Sequence, residues 1–137
     1  MFCAHIDEVG FMVRHISDIG FLYLINLGEY IMHTVITGIH AKEWYLVTGK
    51  LKSETEREKV LLLIDEAEKL LLAEKENAIA TIPIVEKDSR LGWEPSMDYI
   101  GDKEHIEWKL RHLEYVLDYE LGCYKKGVGD KWFNNLK

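Results

Sequence analysis

The chain has 137 residues, 47% of them hydrophobic and 30% charged, with a formal net charge of -7. That length and composition fit one small globular domain, and the acidic balance without a basic run excludes a broad nucleic-acid footprint. Two cysteines, Cys3 and Cys123, make no disulfide framework, and the apolar run Val60–Ile64 is far too short to span a membrane.

In chain order, Met1-Phe-Cys-Ala-His carries no basic n-region, so no secretory signal is expected and the location reads as cytoplasmic. Gly10 to Ile16 and Phe21 to Leu27 read as strands, joined by the turn chemistry of Ser17-Asp18-Ile19-Gly20. Tyr30 to Ile36 and Trp44 to Thr48 read as a third and fourth strand, because they are rich in β-branched and aromatic residues. Near Gly49 to Ser53 the composition shifts to Leu, Glu and Lys. Ser53-Glu54-Thr55-Glu56 fits a capping box, and Val60, Leu63, Ile64, Ala67, Leu70 and Leu71 follow at helical spacing. Leu61, Leu62 and Leu72 widen that apolar face and nominate it for self-association. Pro83 is expected to end or kink the helix. After an irregular stretch, Asp102 reads as an N-cap, Ile106, Leu110, Leu113, Leu117 and Leu121 as a second stripe, and Gly122 as its C-cap. Trp108, Tyr115 and Tyr119 on that helix read as core or interface aromatics.

The expected fold class is therefore α+β. A small antiparallel β unit over about residues 1–50 packs on an antiparallel pair of helices, about 53–82 and 102–121, followed by a tail over 122–137. The whole is one small domain, and the wide apolar helix face predicts a homo-oligomer. Neither a nucleic acid nor a membrane is an expected partner.

Two segments carry chemistry. In Ala4-His5-Ile6-Asp7-Glu8-Val9-Gly10, an extended chain projects His5 and Asp7 to the same side, so the carboxylate can orient the imidazole or both can address one metal. His15, His33, His40 and Cys3 are further ligand types in the same half. Residues 3–28, through Gly20-Phe21-Leu22 and Leu27-Gly28, resemble the first metal-ligand segment of the M42 family of aminopeptidases, some of which carry glutamyl aminopeptidase or endoglucanase labels. The resemblance implies a dinuclear-metal hydrolase acting on a small peptide. His5 would then be a ligand to zinc, cobalt or manganese and Asp7 its orienting partner, and, apart from the resemblance, an acid such as Glu8 is the candidate base. It also implies an Asp-Asp-Arg context and a Glu-Glu pair, and this chain contains no Asp-Asp and no Glu-Glu.

The second segment is Asp88-Ser89-Arg90-Leu91-Gly92-Trp93-Glu94-Pro95-Ser96-Met97-Asp98-Tyr99. Asp88 and Glu94 are acids, Arg90 is a cation and Trp93 is a stacking ring, a set that suits a sugar and a two-carboxylate glycoside hydrolase. The competing reading is structural, with Asp88 and Arg90 forming a loop-fixing ion pair. Residues 55–121 resemble a helical C-terminal region of uncharacterised bacterial proteins linked to carbohydrate processing, which implies no particular catalytic residue. Three functions follow: a metal-dependent hydrolase, a non-catalytic oligomeric protein, and a carbohydrate-active enzyme.

Overall fold

The computed structural model describes residues 21–88, 90–94 and 99–129. Helix α1 spans Phe21–Ser53 and α2 spans Arg57–Lys87. Two-residue strands β1 (Trp93–Glu94) and β2 (Tyr99–Ile100) pair antiparallel, Trp93 opposite Ile100 and Glu94 opposite Tyr99. Helix α3 covers Lys103–Tyr115, a π-helical turn covers Val116–Glu120, and α4 covers Leu121–Gly129. No described helix is long and apolar enough to cross a membrane.

This corrects the α+β expectation. Residues 21–50, read as strands, lie within a single 33-residue helix. The strand reading followed β-branched and aromatic composition, a weak guide that tertiary packing overrides. The residues that α1 turns inward are Asn26, Tyr30, His33, Thr37, His40, Trp44, Val47 and Leu51, alternating steps of four and three. That is a helical period, but four of the eight are not hydrophobic, so a search for apolar periodicity passes over it. The proposed strand Gly10 to Ile16 and the turn Ser17 to Gly20 lie outside the described residues.

Helices α1 and α2 run antiparallel, because His33 meets Asn77 while His40, further along α1, meets Glu74, earlier on α2. The expected antiparallel pairing of the two later helices is present. Lys103 bridges Glu86, Lys75 bridges Glu114 at 2.8 Å, and Lys125 bridges Glu68 at 2.6 Å and Asp65 at 3.1 Å, descending α2 as the chain ascends. The result is a three-rod bundle with α2 packed against both neighbours.

Three boundaries differ from expectation. Ser53 closes α1, its hydroxyl donating to the Lys50 carbonyl, and the carboxylate of Glu54 accepts from the amides of Thr55 and Glu56, so the capping box does not form. Pro83 sits inside α2 without ending it; it is exposed, four residues before the last helical one. Gly122 does not cap a helix. The π-helical turn inserts one residue into the repeat, so Leu113, Val116, Leu121 and Val128 all reach the core and the rod continues to Gly129. Asp102 does cap α3, accepting from the His105 amide at 3.0 Å.

The core has two apolar clusters. One gathers Val47, Val60, Ile64, Ala67, Leu71, Leu113, Val116, Leu121 and Val128, with Trp44, Leu51, Leu61 and Leu117 around it. The other gathers Ala78, Val85 and Ile106, flanked by Tyr30, Ile82, Leu91 and Leu110. Between them along α2 stand Glu74 and Asn77, both buried. Trp108, Tyr115 and Tyr119 are exposed, as are Leu62 and Leu72.

Candidate functional site

The polar layer between the two clusters is the densest concentration of chemistry among the described residues. Glu74 comes from the middle of α2, where helical spacing places it in line with Ala67, Leu71 and Ala78 and so points it inward. Its Oε1 accepts from the Thr37 hydroxyl at 2.7 Å and from the Lys109 ammonium, and its Oε2 accepts from His40 Nδ1 at 2.5 Å. One turn along α2, Asn77 Oδ1 accepts from His33 Nδ1 at 2.7 Å. Its amide donates to the His33 carbonyl at 3.1 Å and to the Thr37 hydroxyl at 3.0 Å. Thr81 donates back to the Asn77 carbonyl at 2.8 Å. The network ties α1, α2 and α3 together at one level, and no buried side-chain polar atom among the described residues lacks a partner.

Burial pushes the Glu74 carboxyl upward, but hydrogen bonds from Lys109, His40 and Thr37 outweigh it and hold the group below its ordinary range. Glu74 is therefore an anion at neutral pH. Both its oxygens are occupied, and an acceptor at Oε2 requires His40 to carry its proton on Nδ1.

The layer separates two small cavities on the α1–α3 side. One of about 230 Å³ is walled by Tyr30, His33, Thr34, Thr81 and His105; the other, of about 250 Å³, by Trp44, Leu70, Leu113, Val116 and His112. Thr37 and Lys109 border both. A carboxylate-oriented imidazole such as His40 resembles a general base. Yet the second cavity, which His40 lines, offers one hydroxyl, that of Thr37, and its proton is already committed to Glu74. The arrangement registers three helices.

The residues singled out in the sequence fall elsewhere. His5, Asp7 and Glu8, with Cys3 and His15, lie outside the described residues. Asp88 and Arg90 are brought together: Arg90 Nε donates to Asp88 Oδ1 at 2.8 Å and Nη2 to Oδ2 at 2.6 Å. This fork, with the Arg90 amide on Oδ1 at 3.1 Å, holds the Asp88 carboxyl below its usual range. Both oxygens of Asp88 are thereby used to shape the loop, which is the structural reading of this pair. Trp93 and Glu94 form β1. Gly92 precedes them at φ +78°, where a Cβ would lie 2.6 Å from the Gly101 carbonyl oxygen and 2.8 Å from the Tyr30 hydroxyl.

His33, His40, Glu74, Asn77 and Lys109 were not recognised as a group from the sequence. The signal was present in the inward spacing of Asn26, His33, Thr37 and His40, and it becomes legible only once α1 is read as a helix.

The family model for M42 glutamyl aminopeptidases matches residues 1–53. The match extends the resemblance seen over residues 3–28 and ends on the last residue of α1. It supports a peptidase-derived origin for this part of the chain. No curated protein and no solved structure matches the chain.

M42 peptidases are metal-dependent, but among the described residues no three His, Cys, Asp or Glu side chains converge as an ion requires. Glu74, the buried carboxylate beside His40, already accepts from Thr37, His40 and Lys109. The described residues therefore do not fit the family's metal centre.

Proposed function

We propose that the chain is a non-catalytic association protein whose N-terminal third derives from an M42-type peptidase, and that its outer α1 face binds a second copy. The observation that supports this is the outward apolar row of α1. The helix turns Asn26, His33, Thr37 and His40, together with Tyr30, Trp44, Val47 and Leu51, toward its own bundle. It leaves Ile25, Ile31, Met32, Val35, Ile39, Tyr45 and Leu46 between 42% and 75% exposed. Scattered exposed aliphatics are ordinary, but a contiguous row along one helix marks an interaction surface. Light scattering on the purified full chain tests the reading. A particle of about twice 16.0 kDa is expected, and a monomer across the accessible concentration range would refute it.

A second reading rests on the family match. Here His5, oriented by Asp7, holds zinc, cobalt or manganese and Glu8 serves as base toward a small peptide. Its test is elemental analysis of untagged protein beside a His5→Ala variant. Stoichiometric metal lost in the variant supports it, and no metal in either sample removes it. For the carbohydrate-active reading, the Asp88–Arg90 ion pair favours the loop-fixing role of Asp88.

A further inference from the structure

The exposed face of α1 has a repeat of its own. Ile25, Met32, Ile39 and Leu46 recur every seven residues, and Gly28, Val35, Lys42 and Gly49 occupy the fourth position of each heptad. An apolar row at one heptad position, beside fourth positions of which Val35 is aliphatic and Gly28 and Gly49 are small, suits a helix that packs lengthwise on another helix. At 1.5 Å per residue, the seam from Ile25 to Gly49 is about 36 Å long.

The charges beside the seam distinguish the possible arrangements. Glu29 lies near the start of α1, Lys42 within the seam, Glu43 beside it, and Lys50 and Lys52 at the end of the helix, all exposed. None of them has an ion-pair partner among the described residues. In a parallel pair the two Glu29 side chains would gather at one end and four lysines at the other. In an antiparallel pair each Glu29 meets the other copy's Lys50, one heptad flank against its equivalent, and the repulsion becomes attraction at both ends. An antiparallel pair is also isologous and closes at two copies. Docking of α1 onto the exposed aromatics Trp108, Tyr115 and Tyr119 of a neighbour would close at two copies only if it were reciprocal, and it would not bring Glu29 of one copy to Lys50 of the other.

From this we infer that the chain forms a closed dimer in which α1 packs antiparallel on the α1 of a second copy, with Glu29 of each against Lys50 of the other. The inference rests on the association reading above and adds its partner helix, direction and register.

Cysteine cross-linking of the full chain tests it. Glu29→Cys and Lys50→Cys are introduced together, with Cys3→Ser and Cys123→Ser to remove the native thiols, and the mass is measured before oxidation. Linked peptides are then identified by mass spectrometry. Within one copy the two sites lie 21 residues apart on one rigid helix, about 30 Å, so they cannot join intramolecularly. A dimer linked 29 to 50 is the expected result. A dimer linked 29 to 29 and 50 to 50 overturns the antiparallel register while leaving association intact. An open series of larger species without these links overturns the closed pair. A monomer refutes both this inference and the reading beneath it, and protection of Ile39 from side-chain labelling in that monomer would show the face covered by the chain's own remaining segments. As an independent readout, Glu29→Lys should weaken the dimer roughly tenfold at low salt, each symmetry-related pair contributing a factor of a few. Adding Lys50→Glu should restore it; failure of the pair to restore association would also count against the register.

Discussion

Glu74 holds the bundle's three helices through hydrogen bonds from Thr37, His40 and Lys109, and the two halves of its ion pair are not equally replaceable. The Glu74 side chain is 8% exposed, whereas Lys109 is 35% exposed and can turn to water. Lys109→Met therefore leaves a buried carboxylate without its cation, held only by Thr37 and His40, and should cost about 3 kcal/mol. Glu74→Gln frees an ammonium that solvent can reach and should cost only about 1 kcal/mol. Chemical denaturation of both variants checks the order; equal losses would mean that the pair is solvated. The same site predicts a pH dependence. The Glu74 carboxyl is depressed in the folded chain, so its contribution is present above the unfolded-state value and is lost as pH falls through the folded-state value. Asp88 follows the same sign, held down by Arg90. Stability should be flat through neutrality and fall on acidification below the ordinary carboxylate range. A Glu74→Gln variant should show a shallower fall over that acid range, and an identical acid profile would contradict the assignment.

At the scale of elements, helix α2 was legible because its inward residues are mostly aliphatic: Val60, Ile64, Ala67 and Leu71 form an unbroken stripe. Helix α3 was legible for the same reason at Ile106 and Leu113, and its Asp102 cap is local chemistry. Helix α1 was not, because half of its inward residues are polar, aliphatics stand on its outer side, and its composition favours strands. The continuation past Gly122 was hidden by the π-helical turn, which breaks the 3.6-residue period that a sequence reading assumes. Of the candidate site residues, the sequence disclosed Asp88 and Arg90, two positions apart, and with them the structural reading. It did not disclose Glu74 with His40 and Lys109, which are 34 and 35 positions from Glu74, because no local pattern marks them. A circular dichroism spectrum dominated by helix is expected for the full chain, and a strand-dominated spectrum would restore the β reading of residues 21–50.

For the whole molecule, the family match stops at Ser53, yet the match boundary is not a packing boundary. The matched helix α1 shares its polar layer with α2 and Lys109, and Val47 shares an apolar cluster with Ile64 and Leu113. The segment matched by the family model and the helices that follow it thus form one bundle, joined by hydrogen bonds on the inner side of α1 and leaving an aliphatic row outward. The most direct test of that account is to place charge on the outer side alone. Val35→Glu with Ile39→Glu should yield a folded monomer with unchanged helix content, because both side chains are more than half exposed and the polar layer is untouched. Unfolding of the variant would show that these residues belong to the chain's own core, and a variant that remains a dimer would place the interface elsewhere; either result would contradict the account.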